Sequence, residues 1–305
     1  MEKIGFLFAG QGSQYEGMGK DLYESFPESK AIFDKANDAM GFDLKEICFG
    51  GPQEKLRLTD ISQPAIVTTT IAAFEVFKMR TDIKPAYAAG LSLGEYSALI
   101  ATGALKFANG IKLVRKRGEI MEEAARKYPG KMVAVLDLPL EKIHDICRIS
   151  GAEIANCNCP GQVVISGSLE AVDKAKDECI AAGARRVVEL EVSGGFHSPL
   201  MFEASGELKK ILDETPIAIS RVAVISNYTA APEYRSLQIK QNLVYQIYST
   251  VRWEESMRYM LSQGITKFFE FGPGRVLKGL MRKIEPKAQV INIEKAEDIS
   301  KFVNS

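Results

Sequence analysis

One pentapeptide of the chain has the pattern of a nucleophilic serine. Gly90-Leu91-Ser92-Leu93-Gly94 fits G-x-S-x-G, with an apolar stretch at Ala86 to Ala89 before it and a helical stretch from about Glu95 after it. A sharp strand-to-helix turn of this kind holds a serine hydroxyl above the edge of a sheet, and the glycines allow its strained backbone. The alternative is a glycine-rich connection in which Ser92 only caps the helix. The flanking elements favour the nucleophile.

A serine hydroxyl needs a base to take its proton, and the chain has two histidines that could supply one. His144 follows the apolar Ile143 within a helical pattern, as expected of a boundary or surface residue. His197 lies between Gly194-Gly195 and Ser198-Pro199, a pair that suits the N-cap and first turn of a helix. Catalytic groups are often carried by loops between rigid elements. We therefore predict His197 as the base.

One arginine lies on a helix face where cations are not expected. When residues 110–125 are placed on a helical wheel, Arg117 falls near the middle of the apolar arc, whereas Arg115 and Lys116 face water. A buried guanidinium needs an anion, because an unpaired charge is costly to desolvate. That anion is either a core carboxylate in a structural salt bridge or the carboxylate of a substrate, gripped bidentately. Periodicity leaves both open.

The elements that must position these residues indicate an α/β body. A strand, a glycine-rich turn and a helix recur three times, beginning at Ile4 to Phe8, at Ala86 to Ala89 and at Lys267 to Phe271. This recurrence predicts a mostly parallel sheet with helices on both faces, and the serine turn makes the body hydrolase-like. A further helix is predicted from Pro64, where the missing N–H suits the first helical position.

The pattern changes between about residues 127 and 195. Strands and helices there follow the order β-α-β-β-α-β, which is the ferredoxin-like arrangement. The sequence therefore predicts a small ferredoxin-like α+β domain at 127–195, inserted into a large α/β catalytic domain formed by 1–126 and 196–305.

Composition excludes several classes of protein. The 305 residues carry 39 basic and 39 acidic side chains, and this zero net charge argues against a nucleic-acid binder. No apolar window is long enough for a membrane span. Five thinly spread cysteines favour a reducing cytoplasm. Cys157 and Cys159 lack the further ligands of a metal site, and no dinucleotide or phosphate-loop motif appears. We expect neither metal nor cofactor.

Taken together, the motifs resemble the malonyl-CoA:acyl carrier protein transacylases, the acyltransferases of fatty-acid synthesis. The resemblance covers nearly the whole chain, and its motifs occur in the expected order. They are Gly10-Gln11-Gly12-Ser13-Gln14, Gly90-Leu91-Ser92-Leu93-Gly94-Glu95-Tyr96-Ser97, Arg115-Lys116-Arg117-Gly118, Asn158-Cys159-Pro160-Gly161-Gln162-Val163, Ser193-Gly194-Gly195-Phe196-His197-Ser198-Pro199-Leu200-Met201 and Phe271-Gly272-Pro273-Gly274. The chain departs from the family pattern at Leu91, where many members have histidine.

The resemblance implies a role for each site residue. Ser92 is the acylated nucleophile, His197 its base, and Arg117 the partner of the malonyl carboxylate. The resemblance also implies that the backbone N–H groups of Gln11 and Leu93 form the oxyanion hole. The Gln246 carbonyl would orient the imidazole, and Gln63 and Phe196 would contact the substrate. Gln63 suits a helix N-cap equally well.

The implied reaction moves a malonyl group from malonyl-CoA to the phosphopantetheine thiol of acyl carrier protein by way of malonyl-Ser92. Coenzyme A enters as a substrate thioester, and we expect the protein to be a monomer. Because the carrier protein is expected to be acidic, a local basic surface is expected to receive it. Its candidates, which are equally well explained as solvated charges, are Arg185, Arg186, Lys278, Arg282 and Lys283.

Three alternatives remain open from the sequence. One is a serine esterase or thioesterase with the same serine turn, which would have no use for Arg117. Another is an acyltransferase of a polyketide pathway. The third is a non-catalytic module that binds the carrier protein, for which there is no reason to retain Ser92, His197 and Arg117 together.

Overall fold

The computed structural model describes residues 2–303. The strands in this range are β1 (Ile4–Phe8), β2 (Tyr87–Gly90), β3 (Gly130–Leu136), β4 (Glu153–Cys159), β5 (Gln162–Ser168), β6 (Arg186–Glu189), β7 (Ala223–Ile225), β8 (Pro232–Glu233), β9 (Lys267–Phe271) and β10 (Gln289–Ile293). The helices are α1 (Lys20–Ser25), α2 (Pro27–Met40), α3 (Leu44–Gly50), α4 (Gln53–Arg57), α5 (Thr59–Arg80), α6 (Leu93–Ala101), α7 (Phe107–Lys127), α8 (Leu140–Ser150), α9 (Leu169–Ala181), α10 (Phe202–Glu214), α11 (Ser236–Gln246), α12 (Trp253–Ser262), α13 (Val276–Ile284) and α14 (Ala296–Val303).

The larger sheet has the strand order β10-β9-β1-β2-β7-β8. Its neighbouring strands are parallel except for β7 and β8, which pair antiparallel at one edge. Strand β1 lies in the interior of the sheet, and its burial on both faces explains its uninterrupted apolar run. The predicted α/β body with a mostly parallel sheet is confirmed.

The smaller sheet has the order β4-β5-β3-β6, and all of its pairs are antiparallel. Helices α8 and α9 cover it with a separate apolar core that includes Val133, Ile143, Ile165 and Val172. This sheet is built by residues 130–189, within the segment where the sequence pattern changes. Strand β6 ends this sheet at Glu189.

Helix α5 begins at Thr59, so the prediction that Pro64 starts this helix is wrong. A proline inside a helix leaves the carbonyl four residues earlier without its N–H donor. That carbonyl belongs to Asp60, and it accepts a hydrogen bond from Nη1 of Arg115 at 2.8 Å. The arginine of α7 thus supplies the donor that the proline lacks, which allows the buried helix to continue through Pro64.

Helices α5 and α7 approach each other closely at Gly118. A Cβ atom at this glycine would lie 2.6 Å from Cα of Asp60, closer than real side chains come to backbone. Asp60 lies about one turn before Gln63 on α5. The contact at Gly118 therefore brings the neighbouring Arg117 against α5, within reach of Gln63. Within residues 2–303, no helix is long and apolar enough to cross a membrane.

The close approach at Gly118 can be tested by substitution. Gly118→Ala should lower the free energy of unfolding by about 1–3 kcal/mol, because the methyl group must displace backbone. Gly206→Ala is the matched control. In the described part of the chain, no atom beyond the adjoining residues and backbone of its own helix, α10, lies within 4 Å of a Cβ at Gly206, and alanine there should stabilise the helix by up to about 1 kcal/mol. Urea unfolding measures both, and equal effects would contradict the packing described.

Candidate active site

Ser92 occupies a strained turn between β2 and α6. Its φ is 50° and its ψ is −100°, a conformation that residues with a side chain rarely adopt. A Cβ at Gly94 would lie 2.2 Å from the Phe8 carbonyl oxygen, so only glycine allows the helix to start this close to β1. The Ser92 N–H donates to Oδ1 of Asn227 at 2.6 Å, which holds the turn in place.

The serine hydroxyl lies beside the predicted base. Oγ of Ser92 is 2.8 Å from Nε2 of His197, and Nδ1 of the same ring is 2.8 Å from the Gln246 carbonyl oxygen. Because a carbonyl only accepts hydrogen bonds, Nδ1 carries the ring proton and Nε2 is free to accept from the serine hydroxyl. This is the tautomer that a general base requires. Like Ser92, His197 has a positive φ, of 57°.

The imidazole is buried, and it is neutral over a wide pH range. Burial and the nearby Arg117 charge together lower the pKa of His197 to about 4, against the raising effect of the hydrogen bonds of the ring with the backbone of Gln246 and Ser249. His197 is therefore an unprotonated base at neutral pH. The second histidine, His144, is exposed on α8, as the sequence indicated.

Arg117 is fully buried, and neutral oxygens surround it. Its Nη1 donates to Oε1 of Gln63 at 2.9 Å, and its Nη2 donates to Oγ of Ser92 and Oε1 of Gln246, both at 3.2 Å. The ring of Tyr96 lies 5.3 Å from the guanidinium carbon. Nε has no acceptor, and no carboxylate of the described residues forms a salt bridge with this arginine. The structural salt bridge that the sequence allowed is therefore absent from residues 2–303.

Gln63 lies inside α5, as its fifth residue, so the N-cap interpretation is wrong. Because α5 begins before the proline, the Gln63 side chain faces α7 and reaches Arg117 instead of capping a helix end. Phe196 is buried and lines the cleft beside His197.

Two backbone N–H groups are free to bind an oxyanion. Among the described residues, neither the Gln11 nor the Leu93 N–H donates a hydrogen bond. Their two loops touch, since a Cβ at Gly10 would lie 2.4 Å from the Leu91 carbonyl oxygen. Gln11 and Leu91 line the same cleft as Ser92, so the Gln11 and Leu93 N–H groups are available as hydrogen-bond donors near the serine.

An open cleft of about 420 Å³ leads to the serine. It is lined by Gln11, Ser92 and His197 and, from the smaller sheet, by Asn158 and Gln162. In the described part of the chain, no group of three or more His, Cys, Asp or Glu side chains is arranged to hold a metal ion.

Sequence reasoning missed two residues that support the site. Glu95 accepts hydrogen bonds from the Asn227 N–H and from Nε2 of Gln246, both at 2.9 Å. Glu95 could have been noticed as the one charged residue of an otherwise apolar helix, the same signal that identified Arg117. Asn227 gives no such signal, because its partner Ser92 is 135 positions away in the sequence.

A serine and a neutral histidine at a strand-to-helix turn of an α/β fold are typical of enzymes that transfer or hydrolyse acyl groups. The family model described as acyl transferase domain matches residues 5–297. The chain belongs to this acyl transferase family, and the resemblance to its malonyl-CoA:acyl carrier protein transacylases is confirmed.

Individual relatives agree with this assignment. The malonyl CoA-acyl carrier protein transacylase of Bacillus subtilis (strain 168) is 45% identical over 304 residues, which cover 98% of this chain and 96% of the relative. The solved structure described as MCAT from Streptococcus pneumoniae has a TM-score of 0.94 and 40% identity, with 99% of both chains covered. A structure of a type II polyketide-synthase acyl-carrier protein in complex with its malonyl-transacylase gives a TM-score of 0.96 at 35% identity, and covers 99% of both chains.

The protonation state of His197 can be measured directly. In ¹⁵N-histidine-labelled His144→Gln protein, a single imidazole remains, and it should stay in the neutral Nδ1–H form from pH 8 to about 5, with a midpoint near 4. The cause is burial next to the Arg117 cation, both of which disfavour the imidazolium. A midpoint close to that of a free histidine would contradict the electrostatics of the site.

Proposed function

We propose that this protein transfers the malonyl group of malonyl-CoA to the phosphopantetheine thiol of acyl carrier protein, through a malonyl ester on Ser92. The observation that carries the proposal is the buried Arg117 guanidinium, which lies 3.2 Å from the Ser92 hydroxyl and has no carboxylate partner within residues 2–303. Malonyl-CoA presents a carboxylate at a fixed distance from its thioester carbonyl. Such a substrate satisfies the guanidinium and the nucleophile together.

In the first half-reaction, Nε2 of His197 takes the Ser92 proton as Oγ attacks the thioester carbonyl carbon. The Gln11 and Leu93 N–H groups bind the oxyanion of the tetrahedral intermediate. When the intermediate collapses, the carbon–sulfur bond breaks and the imidazolium returns its proton to the coenzyme A thiolate. The Gln246 carbonyl keeps the ring oriented throughout, so the catalytic pair needs no carboxylate.

In the second half-reaction, the carrier-protein thiol loses its proton to His197 and attacks the same carbonyl. Oγ of Ser92 leaves and regains a proton from the imidazolium. Because both halves use one site, the kinetics are ping-pong. Coenzyme A enters as the malonyl thioester and leaves as the free thiol, and the reaction needs no further cofactor or metal.

Arg117 selects the acyl group. Acetyl-CoA would leave the guanidinium unpaired in a poorly solvated pocket, at a cost of about 2–5 kcal/mol, or about 30- to 4,000-fold in rate. Gln63 holds the guanidinium from one side, and Phe196 borders the acyl chain and favours malonyl over branched groups.

The larger architecture belongs to the same proposal. Residues 1–126 and 196–305 form a hydrolase-like catalytic domain, and residues 127–195 form a ferredoxin-like domain that closes one side of the cleft. In support, the strand order β4-β5-β3-β6 is that of a ferredoxin-like sheet. The protein acts as a monomer in the cytoplasm, without binding nucleic acid or membrane. It supplies fatty-acid synthesis, or a polyketide pathway like the one named for the solved complex.

The carrier protein docks at the mouth of the cleft beside α13. Val276 and Leu280 of this helix line the cleft, while Lys278, Arg282 and Lys283 are exposed. In residues 2–303 these three cations form no salt bridge, so their charge is available to an acidic partner. Arg185 pairs instead with Asp137, which makes it a weaker candidate.

Substitution of the buried arginine tests the acyl selectivity. Arg117→Ala should lower the rate of Ser92 malonylation by about 30- to 4,000-fold and raise the relative rate with acetyl-CoA, because the carboxylate loses its partner. Intact mass after mixing with each thioester measures both adducts, and Lys116→Ala, an exposed neighbour, is the control. An unchanged malonyl-to-acetyl preference would contradict the role of Arg117.

The same mass measurement separates transfer from hydrolysis. A transacylase holds the malonyl adduct until a thiol arrives, so the wild-type protein should remain modified after malonyl-CoA is consumed. Rapid release of free malonate without a thiol acceptor would favour the serine esterase or thioesterase alternative. A carrier-binding module without activity would form no adduct.

The docking surface can be tested by charge reversal. Lys278→Glu/Lys283→Glu should slow transfer to the carrier protein at least about fivefold at low salt, since steering depends on the local field. Acylation by malonyl-pantetheine, which lacks the charged nucleotide, should not change. The control Lys35→Glu/Lys112→Glu changes the net charge equally on α2 and α7. Equal slowing by both variants would contradict a specific surface.

A further inference from the structure

Two carboxyl groups lie buried behind the nucleophile, outside the reaction described above. Glu95 on α6 and Glu233 on β8 are both fully buried. Their side chains are within hydrogen-bonding reach of each other. One oxygen of each carboxyl, Oε1 of Glu95 and Oε1 of Glu233, has no N–H or O–H donor from any other described group. Two carboxyls in contact can satisfy these oxygens by sharing one proton.

The surroundings of the two groups differ in a way that places the proton. Oε2 of Glu95 accepts from the Asn227 N–H and from Gln246, and the Arg117 charge lies nearby. Glu233 accepts one hydrogen bond at its Oε2, from Nδ2 of Asn242 at 2.7 Å. Two donors and a cation favour the ionised form at Glu95, so the proton belongs to Glu233.

The causes of the pKa shifts at the two carboxyls agree with this placement. Burial and the adjacent Glu95 carboxylate raise the pKa of Glu233 well above its ordinary value. Burial also raises the pKa of Glu95 to about 7, against the lowering effect of its donors, of Arg117 and of Glu233. Tyr96, the other titratable group facing Glu95, is neutral, because burial raises its pKa to about 12.

Glu95 connects to both parts of the catalytic pair. Glu95 accepts a hydrogen bond from the backbone N–H of Asn227. The Asn227 side chain in turn accepts from the Ser92 N–H and donates from Nδ2 to the Gly90 carbonyl at 2.8 Å. The side-chain Nε2 of Gln246, which also donates to Glu95, donates to the Ser92 carbonyl at 3.0 Å. The backbone carbonyl of Gln246 accepts from Nδ1 of His197. One carboxylate oxygen therefore ties the serine turn to the residue that orients the imidazole.

We propose that Glu95 is a positioning residue for the Ser92–His197 pair, and that Glu233 is a neutral carboxylic acid that donates its proton in a hydrogen bond to the Glu95 carboxylate. The two residues form a single buried anion behind the site. The amide of Gln246 separates this anion from Arg117, with its oxygen toward the cation and its nitrogen toward the carboxylate. The guanidinium therefore has a countercharge nearby, although no carboxylate of the described residues contacts it directly.

The positioning role rests on the proposed malonyl transfer and is tested by its first half-reaction. Glu95→Ala removes the acceptor for Asn227 and Gln246, so kcat for Ser92 acylation should fall about 100-fold while KM stays within about threefold. Glu95→Gln keeps an acceptor oxygen and should recover most of that loss. A folded Glu95→Ala protein with the wild-type kcat, or a Glu95→Gln protein as slow as the alanine variant, would overturn this role.

The proposed protonation of Glu233 can be tested by infrared spectroscopy. At neutral pH the wild-type protein should show the C=O stretch of a buried carboxylic acid, and Glu233→Gln should remove it. Its amide can donate to Glu95 and accept from Asn242, so this variant should also keep most of the acylation rate. Glu270→Gln is the control: this carboxyl accepts hydrogen bonds at the start of α13, and burial raises its pKa to about 7. The band that Glu233→Gln removes should persist in Glu270→Gln.

The outcomes separate the two proposals. A Glu233→Gln spectrum that retains the band would overturn the shared proton, whatever the activity. Absence of a malonyl adduct on the wild-type protein would overturn the proposed function. In that case, the infrared band and the ¹⁵N shifts of His197 in Glu95→Ala would still decide the carboxyl pair and its effect on the imidazole.

Discussion

The site depends on one buried cation that neutral oxygens hold in place. Arg117 donates to two glutamine side chains and to the nucleophilic hydroxyl, and none of these partners neutralises its charge. A guanidinium is costly to bury in this way, so its position must be enforced by packing. The close approach of α7 to α5 at Gly118 and the buried length of α5 supply that packing. The rest of the site follows, because the same cation lowers the pKa of His197 and bonds to Ser92 Oγ.

The strained backbone at Ser92 and His197 shows how the fold maintains this arrangement. Both residues have positive φ, and each is fixed by a partner from a distant part of the chain: Asn227 for Ser92 and the end of α11 for His197. Such strain persists only where the surroundings over-determine it. The hydrogen bonds of Glu95 with Asn227 and Gln246 help to fix these surroundings. They account for a glutamate in the otherwise apolar helix α6.

Much of this could be predicted from the sequence, because the relevant signals are local. The glycine pattern around Ser92 and the misplaced charge of Arg117 both lie within one element and its flanks. The bounds of α5 could not be predicted, since the donor that compensates for Pro64 comes from Arg115 on another helix. The contact between Asn227 and Ser92 could not be predicted either, because these residues are 135 positions apart in the sequence. The pairing of Glu95 with Glu233 likewise joins distant parts of the chain. Tertiary contacts of this kind produce no periodic pattern in the amino-acid sequence.

A crystal structure of the protein acylated by malonyl-CoA would test most directly whether Arg117 binds the acyl carboxylate. We expect an ester on Ser92 Oγ whose free carboxylate forms two hydrogen bonds with the Arg117 guanidinium, and whose carbonyl oxygen is directed to the Gln11 and Leu93 N–H groups. A malonyl ester whose carboxylate points into the open cleft, with Arg117 still bound only to Gln63 and Gln246, would contradict this expectation.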